Sequence, residues 1–154
     1  MPHIDFRKTP HHFEIATSPH QIHFVTVCTH QRKRLLDQDH LHQTLIRLWS
    51  DSKYWRLGKY VMMPDHLHFF AKPSGQYSMS LKNWISYWKR AFVRIHGKEI
   101  SHPFWQKDFW DTRLRRSDSY TSKWLYVENN PIRHGLVRSI DHWKFKGEIH
   151  LLSF

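Results

Sequence analysis

Cysteine is all but missing from this sequence. Cys28 stands alone, which excludes an intrachain disulfide and a cysteine-based zinc site and fits a reducing compartment. No apolar run approaches the roughly 18 residues of a membrane span, and the polar, His-containing N-terminal stretch lacks a signal-peptide core. Repeats and low-complexity tracts are absent as well. Acidic residues are few, 13 against 24 Lys and Arg, so the formal charge is +11 with His neutral. A surface this basic expects a polyanion. Nucleic acid fits better than a membrane, because no strongly amphipathic terminal helix is evident.

What the chain has in quantity is aromatic side chains, 16% of its 154 residues with 8 Trp, and the length fits one domain with an adequate core. Residues 1–20, polar and carrying Pro2, Pro10 and Pro19, read as an irregular arm. Residues 22–29 are β-branched and aromatic, hence a strand, followed at once by the basic Arg32-Lys33-Arg34. Asp39 is expected to cap a helix with the apolar stripe Leu41, Leu45, Leu48 and Trp49. Residues 57–63 and 66–72 form a hairpin around Pro64-Asp65. Ser80 opens a second helix with Leu81, Trp84, Ile85, Trp88, Phe92 and Ile95 at helical spacing, ended by Gly97. Lys82, Lys89, Arg90 and Arg94 lie off that stripe, on a solvated face or a nucleic-acid contact. Residues 109–114 read as a fourth strand with Arg113, Arg115 and Arg116 at its end. Ser117 or Asp118 caps a third helix reaching about Asn129, where Pro131 stops it. Residues 138–154 are a mixed tail, with a turn at Phe145-Lys146-Gly147. The order β-α-β-β-α-β-α predicts an α+β fold, an antiparallel sheet with packed helices of ferredoxin-like kind.

The stretch around which this order turns is Tyr60-Val61-Met62-Met63-Pro64-Asp65-His66-Leu67-His68-Phe69-Phe70-Ala71. On a strand, His66 and His68 point to one face while Leu67 and Phe69 point to the other, a geometry that can hold a metal ion. With 15 His a chance His-x-His is expected, and His40-Leu41-His42 is a second copy. That copy starts a helix, where residues two apart diverge by about 200° and cannot easily share an ion. On the third helix Tyr120, Trp124 and Val127 make the stripe that docks on the sheet. Tyr126 lies about 120° off it, sharing a face with Lys123 and Asn130.

Together these residues resemble the single-tyrosine transposases of the HUH (His, hydrophobic, His) superfamily, nearest to the REP-associated tyrosine transposases and their small insertion-sequence relatives. The likeness rests on His66-Leu67-His68 in the segment 60–70, on Trp105-Gln106-Lys107-Asp108-Phe109-Trp110-Asp111 and on Tyr126-Val127-Glu128-Asn129-Asn130-Pro131-Ile132-Arg133-His134-Gly135-Leu136-Val137. Phe24-Val25-Thr26 with Arg32 matches the family's first strand, so the likeness spans about residues 20–140. It implies an RRM-like HUH-nuclease version of the same sandwich and a substrate of single-stranded DNA with a hairpin. It makes Tyr126, rather than Tyr120, the nucleophile of a 5′-phosphotyrosine intermediate. His66, His68 and Asn130 would hold Mg²⁺ or Mn²⁺; the insertion-sequence relatives have glutamine at the last place, and Glu128 falls on another side of the helix.

A free phenol has a pKa of about 10, so the metal or Lys123 must lower it or take the proton. Phosphate contacts would come from Arg32, Lys33, Arg34, Lys89, Arg90, Arg94, Arg115 and Arg116, with aromatics stacking on unpaired bases. The resemblance implies a cytoplasmic, nucleoid-associated monomer or homodimer. Two other readings compete: a non-catalytic module binding single-stranded DNA or RNA hairpins, which has no use for the matched His66, His68 and Tyr126, and a small metal-binding protein, which leaves the charge unexplained.

Overall fold

The structure, a computed structural model, describes residues 21–154; the arm expected over residues 1–20 lies outside them. Strand β1 (Ile22–Cys28) leads through a 3-10 turn into helix α1 (Asp39–Ser50). The hairpin β2 (Trp55–Met62) and β3 (His66–Pro73) follows, then α2 (Leu81–His96), β4 (Trp110–Leu114), α3 (Ser117–Glu128), the short α4 (Asn130–Arg133) and β5 (Lys146–Glu148). All pairings are antiparallel, in the order β4-β1-β3-β2-β5. The first four strands have the ferredoxin-like order, and the expected α+β sandwich is the fold observed.

Strand alternation divides the layers. Leu67 and Phe69 of β3 face α1 and α2, where Phe69 meets Trp49, Trp84 and Trp88 at centroid distances of 6.0, 6.0 and 6.1 Å. His66, His68 and Phe70 face the other way, toward α3, and Phe70 packs on Tyr120 at 4.5 Å. Both faces of β1 and β3 are therefore covered, and every residue of β1 is buried. Seven of the eight Trp are buried, so the aromatic content is used mainly in the core rather than as a stacking platform.

Several local expectations are corrected. The residue capping α1 is Gln38, with Asp39 in the first turn, and α3 is capped by Arg116, with Ser117 and Asp118 inside the helix. Ser80 does cap α2, its hydroxyl accepting from the Asn83 N–H at 3.0 Å, and Gly97 ends that helix at φ 51°. Ile95 is exposed, whereas Lys89 and His96 are buried. Helix α3 ends at Glu128 with Asn129 as its C-cap, close to the expected end, and Pro131 then sits in the first turn of α4, where its missing N–H costs nothing. The expected turn in the tail is β5, which pairs Lys146 with Val61 and Gly147 with Tyr60. A Cβ on Gly147 would stand 2.9 Å from the Tyr60 hydroxyl, so this edge pairing needs glycine.

Phe69 has no exposed surface and contacts three Trp side chains. Truncation to alanine should cost about 3–5 kcal/mol, the usual loss for a large buried aromatic. Urea unfolding checks this; a midpoint unchanged from the parent would contradict the packing described.

Candidate active site

The register of β1 on β3 sets Thr26 opposite His68 and Cys28 opposite His66. Thr26 Oγ1 lies 3.0 Å from His68 Nδ1, and the tautomer that donates from Nδ1 to this hydroxyl puts the ring's lone pair on Nε2. His68 Nε2 is buried and has no hydrogen-bond partner among the described residues. His66 Nδ1 donates to Asp65 Oδ1 at 2.7 Å, so its lone pair is likewise on Nε2. The ring centroids are 4.6 Å apart. Burial lowers the pKa of both rings, that of His68 well below the usual histidine value, where the charges of His66, Lys123, Arg32 and His134 add to the effect. Neutral imidazoles anchored at Nδ1 by a carboxylate and a hydroxyl are what a metal ligand pair requires. The donor set fits a divalent ion.

Asp65 is itself held by Arg32, whose Nε and Nη2 each approach Oδ2 to 2.9 Å. Burial raises the Asp65 pKa, but the His66 hydrogen bond and charge and the Arg32 guanidinium outweigh it and bring the carboxyl to about 2. Arg32 adopts φ 52°, after Gln31 at φ 56°, a left-handed pair that turns the chain back toward Asp65. Cys28, beside His66 in the register, is pushed up to about 11 by burial and is no nucleophile.

Helix α3 covers the histidine face. Tyr120 and Trp124 lie on Phe70, and the Lys123 ammonium sits 5.0 Å from the centroid of Phe24, whose ring stacks on His68 at 5.3 Å. Farther along, Glu128 reaches Lys146 at 3.7 Å, and Lys146 pairs with Val61, which pairs with His68. The C-terminal end of α3 thus lies at the level of the histidines. Tyr126 is half-buried there, its ring covered by the Arg133 guanidinium 3.8 Å from the centroid. Arg133 also donates to the Tyr126 carbonyl and, at 2.6 Å, to Asn130 Oδ1. Asn130 is buried; one lone pair of Oδ1 serves Arg133 and the other is left for a ligand. Tyr120 has its hydroxyl pushed up to about 12 by burial, which suits a packing role.

The basic residues separate. Lys33 and Arg34 are exposed next to the Asp65 turn, where the Thr29 hydroxyl donates to the Lys33 carbonyl and the Thr29 N–H to the Asp65 carbonyl. Arg115 and Arg116 are exposed at the other end of the sheet, beyond the Leu114–Ile22 pair. Arg90 and Arg94 are exposed on α2, in the layer behind the sheet. Lys89 corrects the helical-wheel expectation: it is buried, and Nζ donates to the Gln106 carbonyl at 2.8 Å.

A match to the family described as transposase IS200-like runs over residues 16–131. The chain belongs to that family. It is 27% identical over 126 residues to the REP-associated tyrosine transposase of Escherichia coli (strain K12), covering 79% of this chain and 72% of the relative. A solved structure of a REP-associated tyrosine transposase bound to a REP hairpin shares the fold, with a TM-score of 0.70 at 22% identity over 90% of this chain and 81% of that one. The resemblance read from the HUH and Tyr126-to-Asn130 segments is borne out, and this IS200-like transposase is a transposase by family. Among the described residues no helix is long and apolar enough to cross a membrane.

Sequence reasoning did not single out Thr26, Asp65 or Arg133 as parts of this transposase's site. Asp65 and Arg133 were readable as neighbours, one residue before His66 and three after Asn130. Thr26 was not, because its contact depends on strand register.

Burial lowers the Lys89 pKa to about 8. The unfolded chain keeps this proton to about 10.4. Between the two values the unfolded state holds more protons, so native stability should rise with pH over that window. Urea midpoints measured across it should climb in the parent and flatten in Lys89→Met; equal slopes would refute the burial of this ammonium.

Proposed function

We propose that this transposase cleaves and rejoins single-stranded DNA at sites flanking a hairpin, with Tyr126 as nucleophile. The observation that carries the reading is the common placement of α3 and of His66 and His68 on one face of the sheet, joined through Lys123, Phe24 and His68. The Tyr126 phenol attacks the scissile phosphorus; the P–O3′ bond breaks, leaving a 5′-phosphotyrosine and a 3′-hydroxyl that takes up a proton. A second strand's 3′-hydroxyl reverses the step, so the bond energy is conserved and no nucleotide cofactor is consumed.

His66, His68 and Asn130 would hold Mg²⁺ or Mn²⁺. When bound, such an ion supplies polarisation of the scissile phosphate and of the leaving 3′-oxygen. Asp65 and Thr26 keep the two rings oriented while burial keeps them neutral, and Arg133 positions the nucleophile and Asn130 together. Lys123 is the candidate to lower the phenol's pKa by its charge or, as the neutral amine, to take the phenolic proton. α3 rests on the histidine face of its own chain, which supports attack in cis by a monomer. Lys33, Arg34, Arg115 and Arg116 flank the face at its two ends and would grip phosphates. The REP hairpin bound by the structural relative is the kind of substrate that such a face would take. Arg90 and Arg94, in the other layer, would meet only DNA that wraps the sheet.

The test is a labelled single-stranded hairpin oligonucleotide carrying a REP-type foot, incubated with Mn²⁺ and resolved on a denaturing protein gel. The parent should form a covalent adduct, and Tyr126→Phe none. His68→Ala should lose adduct formation while hairpin binding persists. An adduct that survives in Tyr126→Phe would overturn the assignment of the nucleophile, and full activity in Lys123→Ala would dismiss the proton-acceptor role.

Phosphate contacts are tested separately by salt. Each of Arg115→Gln and Arg116→Gln should weaken hairpin binding and reduce the slope of log K against log salt by about 1. An unchanged slope would exclude them from the interface.

A further inference from the structure

The layer behind the sheet brings three further polar groups together. His40 stands in the first turn of α1, His96 ends α2, and Glu99 lies in the 3-10 turn that follows. Each offers a ligand atom, and the three atoms lie within 4.8 Å of one another. The His40 and His96 rings meet edge to face at 5.6 Å.

His96 is held by Thr44 through one ring nitrogen and turns the other toward Glu99. Thr44 Oγ1 donates its one proton to the His40 carbonyl at 3.0 Å. His96 Nε2 lies 2.8 Å from that hydroxyl, and with the hydroxyl proton on the carbonyl it is Nε2–H that donates. In the neutral ring, the lone pair is therefore on Nδ1, and Nδ1 faces Glu99 Oε2 at 3.5 Å. A lone pair and a carboxylate repel unless a positive centre stands between them. A shared proton would draw nitrogen and oxygen to about 2.7–2.9 Å. Two ligands bound at about 2.0–2.2 Å to one tetrahedral ion stand roughly 3.4 Å apart. The His96–Glu99 spacing is that of two ligands on one ion, and with all three atoms within 4.8 Å of one another His40 needs only a small movement to join them. His96 is buried and held by Thr44 as an outer-shell partner, while His40 and Glu99 are exposed and free to close on it.

We propose that His40, His96 and Glu99 form a second cation site, distinct from His66 and His68 and on the opposite side of the sheet. Two imidazoles and one carboxylate, with a water in the fourth position, suit Zn²⁺ rather than Mg²⁺. The ion ties the start of α1 to the end of α2 and stabilises that layer; it takes no part in strand transfer.

The experiment is a calorimetric Zn²⁺ titration of the full chain, beside His40→Ala, Glu99→Gln and the double variant, with thermal melts in Zn²⁺ and in chelator. His40 and Glu99 are exposed, so these variants should fold as the parent does. The double variant should bind about one equivalent less than the parent, and each single variant should weaken that equivalent by roughly 100-fold or more, since even outer-shell partners cost about 10–100-fold. Zn²⁺ should raise the melting temperature of the parent more than that of the double variant. Identical stoichiometry and affinity in parent and double variant would overturn the site, as would a parent that takes up no Zn²⁺. Neither readout depends on DNA cleavage, so failure here leaves the proposed reaction intact, and failure of that reaction leaves this site intact.

Discussion

The register of β1 against β3 governs which side chains face which layer. With Thr26 opposite His68 and Val25 opposite Phe69, one side of the sheet receives two imidazoles and the other receives the aromatic core. A slip of one residue would exchange these faces, pressing His66 and His68 against Trp49, Trp84 and Trp88 and presenting Phe69 to α3. The apolar side enforces the alignment. Phe69 and Leu67 are fully buried, so the hydrophobic contacts behind the sheet determine where the histidines stand in front of it. The chemistry on one face is thus positioned by packing on the other.

A basic chain must keep its own charge from spoiling such a site. Buried histidines among cations stay neutral because ionising them would add a like charge in a poorly solvated place. Asp65 meets this crowding at its edge: its carboxylate orients His66 and holds Arg32. The remaining basic side chains are exposed at Lys33, Arg34, Arg115 and Arg116, at the two ends of the strands. Positive potential therefore frames the histidine face, with Lys123 over Phe24 adding to it on the face itself, an arrangement that draws a phosphate backbone inward.

Much of this was legible in the sequence, and what was not has identifiable causes. The element order and the shared direction of His66 and His68 follow from strand period and turn chemistry, which act locally. Lys89 was misread, although the pattern allowed better: it follows buried Ile85 by four residues and precedes buried Phe92 by three, so it lies on the stripe, with its charge satisfied by the Gln106 carbonyl. β5 was invisible because Lys146-Gly147-Glu148 has no strand propensity of its own. Its pairing is imposed by the edge of β2 and by the room that Gly147 leaves for Tyr60. The short α4 was not foreseen because a proline that follows the end of one helix also suits the first turn of the next, and the α3–α4 junction uses both properties.

The two His-x-His copies show why spacing alone does not define a ligand pair. In β3 the alternation puts both rings on one face, where partners at Nδ1 direct both lone pairs inward. In α1 the same spacing separates them. His42 turns into the core, bonded to the Tyr60 hydroxyl at 2.6 Å, and burial lowers its pKa. His40 turns outward to His96, a residue more than fifty positions away that only the packing of α1 on α2 brings near. A motif of three residues thus acquires its chemistry from the backbone that carries it. On a strand the partner is the second histidine itself; on a helix it must come from another element, and the tertiary fold supplies it.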